Sequence, residues 1–244
     1  LAIKRMKEYA REHFLEDEVL RFIVKNIVGF DLNPLAVLAS RANYLLALGE
    51  LTRTATEPVE LPVYFADSML AERRSTLTPE EYVLTTAAGE FSIPISMVEK
   101  GLLGLILSLT EDCVRLGCAP REFEARPLKE IPNLSQDEVQ GLNKLFQKLS
   151  QLEKKGENKI WTRILKNSFA PLFSGLFDYV VGNPPWINWE SLPKNYREQS
   201  RNLYNKYRLI TWTSKVGAVK TDISILFTYA CLDKYLKPTG NFGF

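Results

Sequence analysis

The chain contains one histidine, His13, and three cysteines, Cys113, Cys118 and Cys231. A single histidine excludes a Ser-His-Asp triad and any histidine-rich metal site. Three cysteines form neither an even disulfide set nor a metal-ligand spacing, so no metal is expected and a reducing, cytoplasmic compartment suits the chain. Neither GxGxxG nor GxxxxGK[ST] occurs, which leaves no visible cradle for a dinucleotide or triphosphate. The longest apolar run, GLLGLILSL at 101–109, is nine residues long, against roughly 20 needed to span a bilayer. No signal peptide is visible, and no membrane partner is expected. The formal net charge is only +2, so bulk charge does not announce a polyanion binder.

What is present is a chain of 244 residues, 45% apolar and 25% charged, enough for one large soluble domain carrying an insertion. It starts at Leu1 without a methionine and ends in NFGF, where a strand begins. It therefore reads as a piece of a longer protein. Residues 1–21 have loose helical periodicity, and FIVKNIVGFD at 22–31 reads as an apolar strand ending at Asp31. LNPLAVLASRANYLLALGE follows, with Asn33 as a helix cap, Pro34 in the first turn and Gly49 as the stop. LPVYFADS at 61–68 is a second strand, ending at Asp67. This succession predicts an α/β fold with a mostly parallel sheet.

The alternation stops over 71–176. Residues 72–94 are turn-rich, a helix is predicted from Ser96 to Leu116, 117–134 reads as irregular, and a further helix covers 159–170. Ser135 and Glu138 form a capping box before an amphipathic helix with Val139, Leu142, Phe146, Leu149 and Leu152 on one face. The three parts expected are thus 1–70, a mainly helical insertion over 71–176, and 177–244. FDYVVGN at 177–183 restores the sheet, and a helix over 222–237 ends at Pro238 and Gly240.

The strand ends carry the chemistry. Ligands of parallel α/β sheets bind beyond the carboxyl ends of the strands, where Asp31 and Asp67 lie, although either acid can also be plain turn chemistry. A carboxylate at the end of the first strand can accept from both hydroxyls of a ribose, and the second can accept from an exocyclic amine, which fits an adenosine moiety. FDYVVGNPPWINWE then breaks from an apolar strand into an amide, two prolines and an indole. Asn183 and the Pro184 carbonyl offer two acceptors for an NH₂ group, Pro185 stiffens the turn, and Trp186 presents a face for a heteroaromatic ring. Gly182 would let a ligand approach the backbone. The alternative is a proline-rich turn with a core tryptophan. From Ser191 to Thr221 there are seven basic residues (Lys194, Arg197, Arg201, Lys206, Arg208, Lys215 and Lys220) against Glu198 alone. This is either a solvated face or a surface for phosphates, and Tyr196, Tyr204, Tyr207 and Trp212 are interleaved with it.

VGFDLNPLAVLASRANYLL, YFADSM, GNPPW after an apolar strand, and TDISILFTYACLDKYLKPTGNFGF occur in that order. Together they resemble the adenine-specific DNA methyltransferases of restriction–modification systems, which use S-adenosylmethionine and carry an NPP[YW] motif. The resemblance covers roughly 1–70 and 160–244. It implies a Rossmann-like three-layer methyltransferase sandwich and methylation of adenine N6 in a specific DNA sequence. The cofactor would be held by Asp31 on the ribose, with Leu32 beside it, by Asp67 and Ser68 at the adenine, and by Asn183. Asn183, Pro184, Pro185 and Trp186 would form the catalytic clamp on a flipped adenine, with Asp222 shaping the pocket. The partner implied is double-stranded DNA contacted partly by 191–221, together with a restriction or specificity subunit or domain. The family's [DN]PxxGxG cofactor loop would precede Leu1 and its target recognition domain would follow Phe244, so the piece alone is expected to be inactive. Two other readings stay open: a methyltransferase for an RNA base or a protein glutamine amide, and a non-catalytic nucleic-acid-binding module of a defence complex.

Overall fold

The computed structural model describes residues 1–13, 15, 18–53, 55, 59–69, 72–74, 81–86, 89–131, 133–156, 161–209 and 222–244. It is an α/β architecture of small parallel and antiparallel sheets with helices. The chain divides into two compact units, Leu1–Asp67 with Ala71–Phe173, and Ser68–Leu70 with Ser174–Phe244.

In the first unit, helices α1 (Ala2–Glu12) and α2 (Val19–Asn26) precede strand β1 (Gly29–Asp31), helix α3 (Pro34–Leu48) and strand β2 (Val63–Phe65). The expected strand over 22–31 is thus helical as far as Asn26, and only its last three residues form a strand. The β-branched Ile23 and Val24 suggest a strand, but helical spacing lets Val19 and Ile23 share a core with Ile3, Ala10, Val37, Tyr44 and Leu48. The Tyr44 hydroxyl lies 3.0 and 3.2 Å from the carbonyls of Ile23 and Ile27 and donates to the end of α2. Helix α3 begins as expected: Asn33 Oδ1 accepts from the Leu35 and Ala36 N–H groups at 2.9 and 3.4 Å, with Pro34 in the first turn. It ends at Gly49, whose φ of +55° favours glycine.

The middle of the chain is more than helical. Strands β3 (Glu72–Arg74), β4 (Glu81–Thr86) and β5 (Gly89–Pro94) form an antiparallel sheet where a turn-rich stretch was expected. In β5, Phe91 and Ile93 are buried on either side of the half-buried Ser92, the period-2 signal of a half-buried strand. They lead into α4 (Ile95–Glu99) and α5 (Leu103–Arg115), which break the expected single helix at Gly101, a left-handed residue with φ of +69°. The stretch expected to be irregular holds α6 (Pro120–Glu130), where the Glu122 carboxylate accepts from the Ala119 N–H at 2.8 Å. Helices α7 (Gln136–Lys154) and α8 (Trp161–Phe173) complete the unit, and Leu142, Leu145, Phe146, Leu149 and Leu152 of α7 are buried in its core.

The capping box of α7 is formed. The Ser135 N–H donates to Glu138 Oε2 at 2.7 Å, and the Glu138 N–H donates to Ser135 Oγ at 3.2 Å. Glu138 also accepts from Lys100 Nζ at 2.7 Å. Burial pushes the Glu138 carboxyl up, but hydrogen bonds from Lys100, Ser96 and the Ser135 backbone outweigh it and bring the group down to about 2. A depressed acid contributes stability above its unfolded value, about 4.3, and loses it as pH falls towards 2. Glu138→Gln keeps the cap but not the charge. It is expected to cost about 2 kcal/mol at pH 7, where the partly exposed Lys100 limits the effect, and close to nothing at pH 2. Urea unfolding at both pH values checks this, and an equal cost at both would contradict it.

In the second unit, strand β6 (Phe177–Val181) is followed by a 3₁₀ turn (Trp189–Ser191), helix α9 (Lys194–Lys206), helix α10 (Ile223–Tyr235) and strand β7 (Leu236–Gly243). Strands β6 and β7 pair in parallel, with a register shift between Phe177 and Tyr179. The strand starts at Leu236, before Pro238 rather than after it, because the residue preceding a proline favours an extended backbone and Lys237 Nζ reaches both oxygens of Asp178 at 2.9 and 3.0 Å. Gly240 is required: a Cβ there would lie 2.7 Å from Leu236 Cδ1 and 3.0 Å from the Asp178 carbonyl oxygen. Tyr204, Ile223, Leu226, Ala230 and Met69 form the core.

Candidate functional site

In the first unit, β1 and β2 run parallel with Gly29, Phe30 and Asp31 opposite Val63, Tyr64 and Phe65. The Ala66 N–H donates to the Asp31 carbonyl at 3.1 Å, so the Asp31 and Asp67 positions lie together at the carboxyl ends of the pair. This is the edge where parallel sheets hold ligands. The Asp31 side chain is exposed and oriented by the Asn33 N–H, which donates to its Oδ1 at 2.7 Å. Leu32 is exposed beside it. An oriented, exposed carboxylate next to a capped helix start can accept hydrogen bonds from a ligand's hydroxyl groups, and a second carboxylate stands at the neighbouring strand end.

Two residues that sequence reasoning missed hold this edge in place. Arg41 Nε donates to the Val63 carbonyl at 2.8 Å, and Asn167 Oδ1 accepts from the Phe65 N–H at 3.2 Å. Arg41 also donates to Asn167 at 3.3 Å. Together they satisfy the outer edge of β2, which leaves β2 a protected edge strand. No local pattern reveals this, because Asn167 comes from α8, more than a hundred residues away in the chain.

The NPPW loop lies in the second unit. The chain leaves β6 at Val181, and the Gly182 N–H donates to the Gly243 carbonyl at 3.1 Å. A Cβ on Gly182 would meet the Phe244 ring at 3.0 Å, so the room at this glycine is taken by an aromatic side chain rather than kept for a ligand. Pro184 is buried, whereas Asn183, Pro185 and Trp186 are exposed. The buried proline anchors a loop whose polar and aromatic groups face solvent. Trp186, 70% exposed, is not a core tryptophan, and its indole N–H donates to Asn183 Oδ1 at 3.2 Å. Beyond it, Asn188 bridges to Asp222, and the Ile223 N–H donates to the Ile187 carbonyl at 2.9 Å. The Asp222 carboxylate caps α10 by accepting from the Ser224 N–H at 2.7 Å. The loop is thus tied to β7 at one end and to the start of α10 at the other. Ser68 belongs to this unit, where its carbonyl accepts from the Tyr235 hydroxyl at 2.6 Å.

Of the basic segment 191–221, residues Lys194–Lys206 form helix α9, and residues 210–221, with Lys215, Lys220 and Trp212, lie outside the described residues. Several of its charges have protein partners. Lys206 Nζ donates to Asp233 Oδ2 at 2.5 Å, and the Tyr207 hydroxyl donates to the same oxygen at 2.8 Å. The hydrogen bond from Lys206 holds the Asp233 carboxyl below its usual range. Arg197 lies over the Trp189 ring at 5.3 Å. Arg208 is exposed just past the end of α9. Among the described residues no cluster of three or more potential metal ligands occurs, and no helix is long and apolar enough to cross a membrane.

Comparison with curated proteins and with solved structures returns no match. The model of the Eco57I restriction-modification methylase family, in contrast, matches residues 25–244, from the end of α2 through both strand-end acids and NPPW to the last residue. The chain belongs to that family, the adenine-specific DNA methyltransferases that use S-adenosylmethionine.

Proposed function

We propose that Asn183, Pro184, Pro185 and Trp186 grip a flipped adenine while Asp31, Leu32, Asp67, Ser68 and Asn183 hold the cofactor. The observation that carries this reading is the NPPW loop: an exposed amide oxygen and an exposed indole held together and pinned at both ends. S-adenosylmethionine supplies an electrophilic methyl group on its sulfonium. The protein's task is to make a poor nucleophile act. The lone pair of an exocyclic amine is conjugated with the ring. Asn183 Oδ1 and the Pro184 carbonyl each accept one amine hydrogen, which localises the pair on nitrogen without a titrating base. Trp186 stacks on the base and offsets about 1–3 kcal/mol of the cost of extruding it from the duplex.

The two parallel strand pairs fit a Rossmann-like three-layer sandwich, with the acids at the carboxyl ends of one pair and NPPW following the first strand of the other. The residues over 71–176 are the insertion into it. Arg208 and the basic residues beyond it are the phosphate-facing groups of 191–221, whereas Lys206 serves to brace α9 against α10. A restriction or specificity subunit or domain supplies sequence reading, and the reaction takes place in the cytoplasm. Incubating the full-length enzyme with unmethylated double-stranded DNA and methyl-labelled cofactor tests the reading. N6-methyladenine is the expected labelled nucleoside; label recovered only in RNA or in a glutamine side chain would overturn it.

A further inference from the structure

We propose that the indole N–H of Trp186 is a positioning donor, which fixes the Asn183 amide with its oxygen rather than its nitrogen directed to the target amine. This rests on the reading of NPPW as the adenine clamp and adds a second task to the residue that stacks on the base. An exposed asparagine amide has two nearly isosteric ends. One accepts and the other donates, and only the accepting end can take a hydrogen from an amine. Asn183 is exposed, so packing does not choose between them. Trp186 does. Indole nitrogen is donor-only, so the amide end 3.2 Å from Nε1 has to be the oxygen. The two intervening prolines stiffen the backbone that brings the indole nitrogen back to the amide three residues earlier, and Pro184 is buried. The amide oxygen has two lone pairs, one for the indole and one for the amine. A hydroxyl at this place, which both donates and accepts, could pair with either end and would not discriminate.

The test separates orientation from stacking. Trp186→Phe keeps an aromatic face and removes the donor. In the full-length enzyme, base extrusion is read by the fluorescence of 2-aminopurine at the target position, and transfer by the single-turnover rate with saturating DNA and cofactor. The expected result is a fluorescence change like that of the wild type with a rate about five- to tenfold lower. Asn183→Asp supplies a further readout, since a carboxylate has an acceptor at both ends and needs no orienting. Trp186→Phe is then expected to cost less than twofold in the Asn183→Asp background. A single-turnover rate within twofold of wild type for Trp186→Phe overturns the proposal. So does a rate loss matched by an equal loss of fluorescence, or the same fold loss in both backgrounds. Wild-type transfer by Asn183→Ala would instead remove the clamp reading beneath it.

Discussion

Asn183→Ala is expected to lower the single-turnover rate of methyl transfer by about 100- to 1,000-fold while leaving DNA affinity nearly unchanged. The magnitude follows from what the amide does. A preorganised polar group aimed at charge that develops in the transition state is worth about two to three orders of magnitude when it is removed. On the proposed reading Asn183 Oδ1 is such a group, because the amine hydrogens become more acidic as nitrogen forms its new bond to carbon. The contact therefore strengthens during the step and appears in kcat more than in KM. The fold should survive. The side chain is exposed and its partner Trp186 is exposed too, so truncation opens no cavity. Rapid-quench transfer and equilibrium DNA binding, measured on the same protein, check both halves. Transfer at the wild-type rate, or a loss explained by weaker DNA binding, would remove Asn183 from the reacting centre.

The local capping of the helices was legible in the sequence. Asn33 and Pro34 announce a capped helix after Asp31, Ser135 and Glu138 announce the α7 capping box, and each is formed. These motifs work over three or four residues, so nothing distant can overrule them. Errors came where two local signals competed. Ile23 and Val24 have strand-like side chains, but their spacing lets Ile23 face α1 and α3 as part of a helix. Phe91 and Ile93 alternate with polar Glu90 and Ser92, a signal obscured by the glycines, prolines and threonines around it. Prolines at 120, 127 and 132 suggested irregular structure over 117–134, yet Pro120 opens a helix, the one place where its missing N–H costs nothing.

What could not be read locally are partnerships across the chain. The bracing of Lys206 by Asp233 turns a residue that looks phosphate-facing into one that holds two helices together. The clustering of Lys and Arg in the sequence marks charge, while the tertiary partner decides how much of that charge remains for DNA. Gly182 shows the same limit: the glycine was legible, but the ring of Phe244 that fills its space was not. The N–H bond from Trp186 to Asn183 is intermediate, since its three-residue separation was visible but its direction needed the backbone set by two prolines.

Replacement of Asp31 by alanine is expected to weaken binding of S-adenosylmethionine by about 30- to 100-fold, with much less effect on the transfer rate once cofactor saturates. A carboxylate that accepts from both hydroxyls of a ribose makes two charge-assisted hydrogen bonds, each worth about 1.5–3 kcal/mol, and water recovers part of the loss at an exposed position. The ribose does not react, so this contact is as strong in the ground state as in the transition state. Its removal therefore acts on affinity rather than on kcat. Asp31→Asn separates charge from shape. It keeps one acceptor and the bond from the Asn33 N–H, but places a donor where the second hydroxyl would donate, and a loss of about tenfold is expected. The Asn33 cap and the Tyr44 bonds to α2 are independent of the Asp31 side chain, so thermal unfolding should move by no more than about 2 °C. Calorimetric titration of the full-length enzyme with cofactor, in the absence of DNA, reads the affinity directly. An affinity for Asp31→Ala within threefold of wild type would show that the first strand-end acid does not hold the ribose, and the assignment of β1 as the cofactor strand would fall with it.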